Sequence, residues 1–204
     1  HCVYAEIRCF DDYSAYRSVF EQAGWVYQPH YDVLIRVDAE WRKRMQDVKR
    51  QQVRKAQREG QTWREATSEE DVRWFYHCLK QLYRTKVHRP LPALSFFLQA
   101  WKQGVVVLVV EQNSDIVGGA LIPTLGTTAY EWYKCGGVMA TYGILEWCEQ
   151  HGIELLDAMG AGEPGVPYGV RDFKVAMGGE LHDWGRYICV LKPCWYKLGY
   201  MLMK

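Results

Sequence analysis

Apolar residues along this chain switch several times between a period of two and a period of three to four, and the switches mark out an α/β order. Residues 3–9 (VYAEIRC) and 33–37 alternate as strands; between them 13–23 reads as a helix, opened by Asp11 or Asp12 and stopped by Gly24. Asp38 can cap a helix over 39–59, in which Trp41, Met45, Val48, Gln52 and Ala56 trace one face and Gly60 ends the run. A short strand at 62–66 precedes Ser68-Glu69-Glu70-Asp71, a capping box that opens a helix to about Val87 with Trp74, Cys78, Leu82 and Tyr83 inward. Pro90 and Pro92 stop it, and a shorter helix follows at 93–102. Strands at 105–112 and 116–125 flank the turn Asn113-Ser114-Asp115 as a hairpin, and a third strand covers 128–135. Gly136-Gly137 opens a helix over 138–151, a strand lies at 154–158, the last strand at 180–191, and a terminal helix follows Pro193. An antiparallel meander followed by a crossover gives a mixed α/β fold.

The chain has 204 residues, enough for one well-buried domain or for a domain with part of another, and its 49% apolar content excludes a disordered chain. A net charge of +1 supplies no global field toward nucleic acid or anionic membrane, so any steering must be local. The helix over 39–59 carries such a cluster: Arg42, Lys43, Arg44, Lys49, Arg50, Arg54, Lys55 and Arg58 stand against only Glu40, Asp47 and Glu59. Seven cysteines, with no C-x-x-C pair and no histidine at zinc-ligand spacing, read as reduced core thiols and place the protein in the cytoplasm without a metal. No apolar run is long enough to span a bilayer. Because the chain starts at His1 and enters a strand at once, the expectation is a fragment: 1–37 as the end of a preceding domain, 38–204 as one complete domain.

The densest chemistry lies in 156–187, LDAMGAGEPGVPYGVRDFKVAMGGELHDWGRY. Gly160, Gly162, Gly165 and Gly169 permit close turns, Pro164 and Pro167 stiffen them, and Arg171, Asp172 and Lys174 follow directly. The successive pieces Gly160-Ala161-Gly162, Tyr168-Gly169-Val170, Phe173-Lys174, Met177-Gly178-Gly179-Glu180 and Gly185-Arg186-Tyr187 resemble the C-terminal signature of the FemAB family, with Met177 where phenylalanine is usual. The resemblance extends back to about Tyr4. It implies a GNAT-like acyltransferase fold, with a mixed, centrally antiparallel sheet flanked by helices and two such domains in tandem, the first surviving here only as its end. It also implies an aminoacyl-tRNA co-substrate, no other cofactor, and an amine acceptor on a lipid-linked or UDP-linked muropeptide used to build peptidoglycan bridges.

Amide formation from an aminoacyl ester puts negative charge on the carbonyl oxygen, and a fixed cation there lowers the barrier. The resemblance gives that role to Lys174, with Phe173 flanking the terminal adenosine or the ester; core packing is the equal alternative for Phe173. Asp157, among apolar neighbours at a strand end, is the candidate proton acceptor, although deprotonation assisted by the substrate needs no base. Tyr133 is the family's muropeptide-facing tyrosine by position, and Tyr168 and Arg171 of the loop are assigned to substrate. Arg50, Arg54 and Lys55 are assigned to phosphates of tRNA or of the precursor, against the alternative of a solvated face. The segment 192–204, with Trp195, Tyr196, Leu198, Met201 and Leu202 among lysines, either covers a sheet or touches the inner face of the plasma membrane. Two departures from the family keep other readings open. The loop before Ala140-Thr141-Tyr142-Gly143-Ile144 is short, and Gly136-Gly137 stands where acyl-CoA enzymes hold a pyrophosphate. An N-acyltransferase using acyl-CoA or an acyl carrier protein, or a non-catalytic RNA- or precursor-binding module, remains an alternative.

Overall fold

The computed structural model describes residues 2–202, and its contacts divide them into two compact units. The first comprises residues 2–32, 160–171 and 181–202; the second comprises 33–159 and 172–180. The units are interleaved along the chain: residues 2–32 share a unit with 181–202, while 33–37 belong with the residues that follow them.

In the second unit, β4 (Gln61–Glu65), β5 (Val106–Gln112), β6 (Asp115–Ile122) and β9 (Tyr133–Cys135) form an antiparallel sheet in that order. The hairpin turns at Asn113 and Ser114, which both take left-handed backbone angles. Alternation along β5 sends Val107 and Val109 toward α4 (Glu69–Leu82) and α5 (Leu94–Lys102), where they join Val72, Phe75, Leu79, Phe97, Leu121 and Cys135 in one core cluster. The helix phase differs from the sequence expectation. Phe75 and Leu79 are fully buried, Cys78 and Leu82 only pack at the edge of the cluster, and Trp74 is exposed. The capping box sets this phase: Asp71 bonds back to the amides of Thr67 and Ser68 and pairs with Arg64 of β4 at 2.8 Å. Arg64 holds the Asp71 carboxyl well below the usual carboxylate range.

The expected helix over 39–59 is two helices, α2 (Trp41–Arg44) and α3 (Asp47–Arg58), because Met45 and Gln46 are extended. The Gln46 amide donates instead to the Ala176 carbonyl at 2.9 Å. The break turns the helical face: Trp41 and Met45 are buried before it, Val53 and Ala56 after it, while Val48 and Gln52 point outward. On the sheet's other side α6 (Gly137–Gln150) packs against β4, β5 and β6. Trp63 Nε1 donates to Glu146 at 2.7 Å and Trp147 Nε1 to Glu65 at 2.8 Å, which ties helix to strand.

A second sheet runs β3 (Tyr31–Arg36), β10 (Leu155–Gly160), β8 (Thr128–Tyr130), β7 (Thr124–Leu125). The expected strand over 128–135 is therefore split between sheets. β8 pairs parallel with β10, and β9 pairs antiparallel with β6. The crossing takes one peptide: Glu131 N still donates to Asp157 O of β10 at 2.9 Å, while Trp132 N donates to Leu121 O of β6 at 3.2 Å.

In the first unit, β1 (Tyr4–Arg8), β12 (Arg186–Val190) and β2 (Val26–Gln28) form a three-stranded antiparallel sheet in that order. Sequence reading had merged β12 with β11 (Glu180–Asp183); Gly185, at φ +65°, separates them. Tyr187 is buried, stacked on Phe20 at 4.1 Å and edge-on to Tyr27. The helical stretch after Asp12 is a 3-10 turn followed by α1 (Arg17–Gln22), with Asp12 Oδ1 accepting the Ser14 amide. In α8 (Pro193–Leu202) the Tyr196 ring meets Tyr4, whereas Trp195, Leu198 and Met201 are exposed. The Leu202 side chain, Met203 and Lys204 lie outside the described residues. Among the described residues no helix is long and apolar enough to cross a membrane, and no group of histidine, cysteine or carboxylate side chains could hold a metal.

His30 gives this unit a pH dependence. Burial, with Arg186 and Arg8 nearby, lowers its pKa to about 4 from an ordinary 6.5. Folding thus favours the neutral ring, so the unfolded chain takes up the proton first and stability falls as pH drops from about 6.5 toward 4. Urea midpoints measured across that window should decrease in the native protein and stay flatter in His30→Gln.

Candidate functional site

Four side chains converge where the chain crosses between sheets, all within the second unit. α7 (Gly169–Ala176) carries Phe173 and Lys174, β9 carries Lys134, and the first turn of α3 carries Lys49. Lys174 is 6% exposed, and its ammonium donates to the Met159 carbonyl at 3.1 Å. That carbonyl is aimed by an unusual backbone: Met159 has φ +66°, which a branched or long side chain rarely accepts. Asp157 stabilises the turn, its Oδ1 accepting the Met159 amide at 2.7 Å. A carboxylate, a strained peptide and an ammonium thus form one connected arrangement at the end of β10.

Beside it, the crossing at Glu131 and Trp132 brings together residues that a regular strand would send to opposite faces. The Glu131 carboxylate, 6% exposed, pairs with Lys134 Nζ at 2.8 Å. Lys134 also donates to Thr141 Oγ1 of α6 at 2.5 Å, and Thr141 donates to Glu131 at 3.3 Å. The Lys134 ammonium lies 4.7 Å from the centroid of the Phe173 ring, and Lys49 approaches the same ring at 4.6 Å. Lys49 otherwise donates only to Gln52, and among the described residues no carboxylate lies within ion-pair distance of it. The arrangement can stabilise negative charge on a reacting carbonyl at Lys174 and on an anionic group near Phe173.

No protein-family model matches the chain, and no curated protein matches it. Solved structures do. FemX has a TM-score of 0.72 at 13% identity, over 96% of this chain and 74% of that one. L-PGS from Bacillus licheniformis scores 0.67 at 13% identity, over 93% and 70%, and a GCN5-related N-acetyltransferase from Sphaerobacter thermophilus scores 0.54 at 16%, over 91% and 57%. The fold is GNAT-like. Its resemblance to FemX is one of architecture, at 13% sequence identity.

Within the GNAT-like fold the residues singled out from sequence fall into different places. Lys174 and Asp157 are brought together at Met159, with Asp157 holding the turn, and the Phe173 ring is met by Lys49 and Lys134. Tyr133 points into the core cluster, edge-on to Phe97 at 5.1 Å, and burial pushes its phenol pKa up. Its neighbour Lys134 is the residue of that strand that reaches Phe173. Arg171 braces the loop before α7: its guanidinium donates to the carbonyls of Glu163, at 2.9 Å, and Val166, and lies over the Tyr31 ring. Tyr168 packs on Gly162 of the same loop and stays 40% exposed. Arg50 is occupied by Asp47 and by the carbonyls of Arg42, Lys43 and Met45, so it closes the end of α2. Arg54 and Arg58, with Gln51 and Gln57, line an open groove of about 730 Å³, and Lys55 faces Glu59 at 3.8 Å. Sequence reasoning missed Glu131, Lys134 and Thr141 as a group, and the only signal for Lys134 was its place beside Gly136-Gly137.

Proposed function

We propose that the protein is an acyltransferase that moves an amino acid from the 3′ ester of aminoacyl-tRNA to an amine of a peptidoglycan precursor. The observation that carries this reading is the buried Lys174 ammonium, fixed against the Met159 carbonyl in the segment whose motifs resemble the FemAB signature. As the amine attacks, a C–N bond forms and the carbonyl oxygen becomes an oxyanion, which a preorganised ammonium in a water-poor setting stabilises strongly. Collapse breaks the ester C–O bond, and the proton lost by the attacking nitrogen passes to the departing ribose oxygen. Asp157 acts in this scheme as a positioning residue, because its carboxylate aims Met159 and through it Lys174. The likeness in fold to FemX agrees with the reading.

One observation favours a second donor, acyl-CoA. Gly136 and Gly137 both have positive φ at the start of α6, and no side chain caps this N-terminus, which leaves its first amides without that competitor for an anion. Two assays separate the readings. Labelled amino acid should pass from charged tRNA to a muropeptide amine, and calorimetric titration with acetyl-CoA should give no micromolar binding. Micromolar acetyl-CoA binding without transfer from tRNA would reverse the choice.

A further inference from the structure

Lys49 and Lys134 come from different elements, α3 and β9, yet both ammonium groups lie within 4.7 Å of one aromatic centroid. Bringing two like charges to one ring costs energy unless something negative balances them. Lys134 is balanced by Glu131, but Lys49 has no carboxylate, so the group as a whole keeps an uncompensated positive charge beside a half-buried ring. Both cations are lysines, compact point charges with several rotatable donors, a residue type that binds phosphate as a point charge. The Phe173 ring shields one side of each ammonium from water without taking up its hydrogen bonds, which strengthens any ion contact made there.

We propose that Lys49 and Lys134, set against Phe173, form a subsite for a phosphate group of the acyl donor. This deepens the acyl-transfer reading and depends on it only for naming the donor. The ring itself is then one wall of an anion site, with both ammonium groups close to its centroid.

The test is binding of adenosine 5′-monophosphate, the nucleotide at the acyl-bearing end of tRNA, to the full chain by calorimetry, with inorganic phosphate as a second ligand. Lys49→Ala should weaken nucleotide binding about tenfold, as expected for loss of one charge-assisted contact. Lys80→Ala, an exposed lysine on α4, should leave it unchanged. Lys134→Ala strands Glu131 in a buried position, so Lys134→Gln is combined with Glu131→Gln, and this pair should also weaken binding about tenfold. Equal affinity in the native protein, Lys49→Ala and the double variant would overturn the subsite. Inorganic phosphate binding as tightly as the nucleotide would overturn its assignment to the donor. Because no turnover is measured, a protein that binds the nucleotide through these lysines but transfers nothing would retain the subsite and reject the acyl-transfer reading.

Discussion

Replacing Lys174 by alanine should lower acyl transfer by about 10²–10³-fold, the usual effect of removing one donor to a developing oxyanion. The loss should appear in kcat and kcat/KM together, because the ground-state ester carries little charge for the ammonium to bind. A structural cost comes with it: the Met159 carbonyl loses this donor in a part-buried setting, worth about 1 kcal/mol. Circular dichroism and urea unfolding therefore accompany the kinetics, and a folded but inactive variant is the expected outcome. Lys174→Arg keeps the charge but brings a longer, planar head into a site that is 6% exposed, so activity should stay well below native. A folded Lys174→Ala protein with native turnover would remove the residue from the chemistry.

The second large effect is on stability. An added Cβ at Gly179 would lie 2.2 Å from Val33 Cγ1 and 2.9 Å from the Lys174 carbonyl oxygen. Neither neighbour has room to yield: Val33 is fully buried in β3, and the Lys174 carbonyl accepts the amides of Met177 and Gly179 as α7 ends. Overpacking of this kind costs about 1–3 kcal/mol and more when backbone must move, a large part of an ordinary domain's 5–15 kcal/mol. Gly179→Ala should cost about 3 kcal/mol in urea unfolding and displace Lys174 along with its own carbonyl. Gly169→Ala is the matched control, since a Cβ there meets nothing within 4 Å, and its midpoint should stay near native. Equal midpoints for the two variants would contradict this packing account.

The order of elements and the motif-bearing loop were legible because they rest on local patterns: alternation in β5 and β6, the capping box at Ser68, and the glycines around Lys174. What escaped the sequence depends on distant partners. The break between α2 and α3 has no proline or glycine to announce it; it follows from the Gln46 amide bonding to Ala176 and from Arg50 gathering the carbonyls of the preceding turn. The crossing at Glu131 and Trp132 is equally silent, and it changes which side chain of 128–135 reaches the site. Read as one regular strand, Glu131 and Lys134 belong to opposite faces; bent between two sheets, they form an ion pair, and Lys134 instead of Tyr133 faces Phe173. Arg50 and Arg171, assigned to phosphates and to substrate from the sequence, each bind backbone carbonyls, a contact that composition does not reveal.

The central claim is that an acyl carbonyl sits at the Lys174 ammonium. The most direct measurement is NMR observation of the lysine side-chain signals, assigned by substitution, while a non-hydrolysable aminoacyl-adenosine amide is titrated into the native protein. The account predicts that the Lys174 signal shifts most and saturates with the ligand. Saturable binding that leaves the Lys174 signal unmoved while other lysines respond would contradict it.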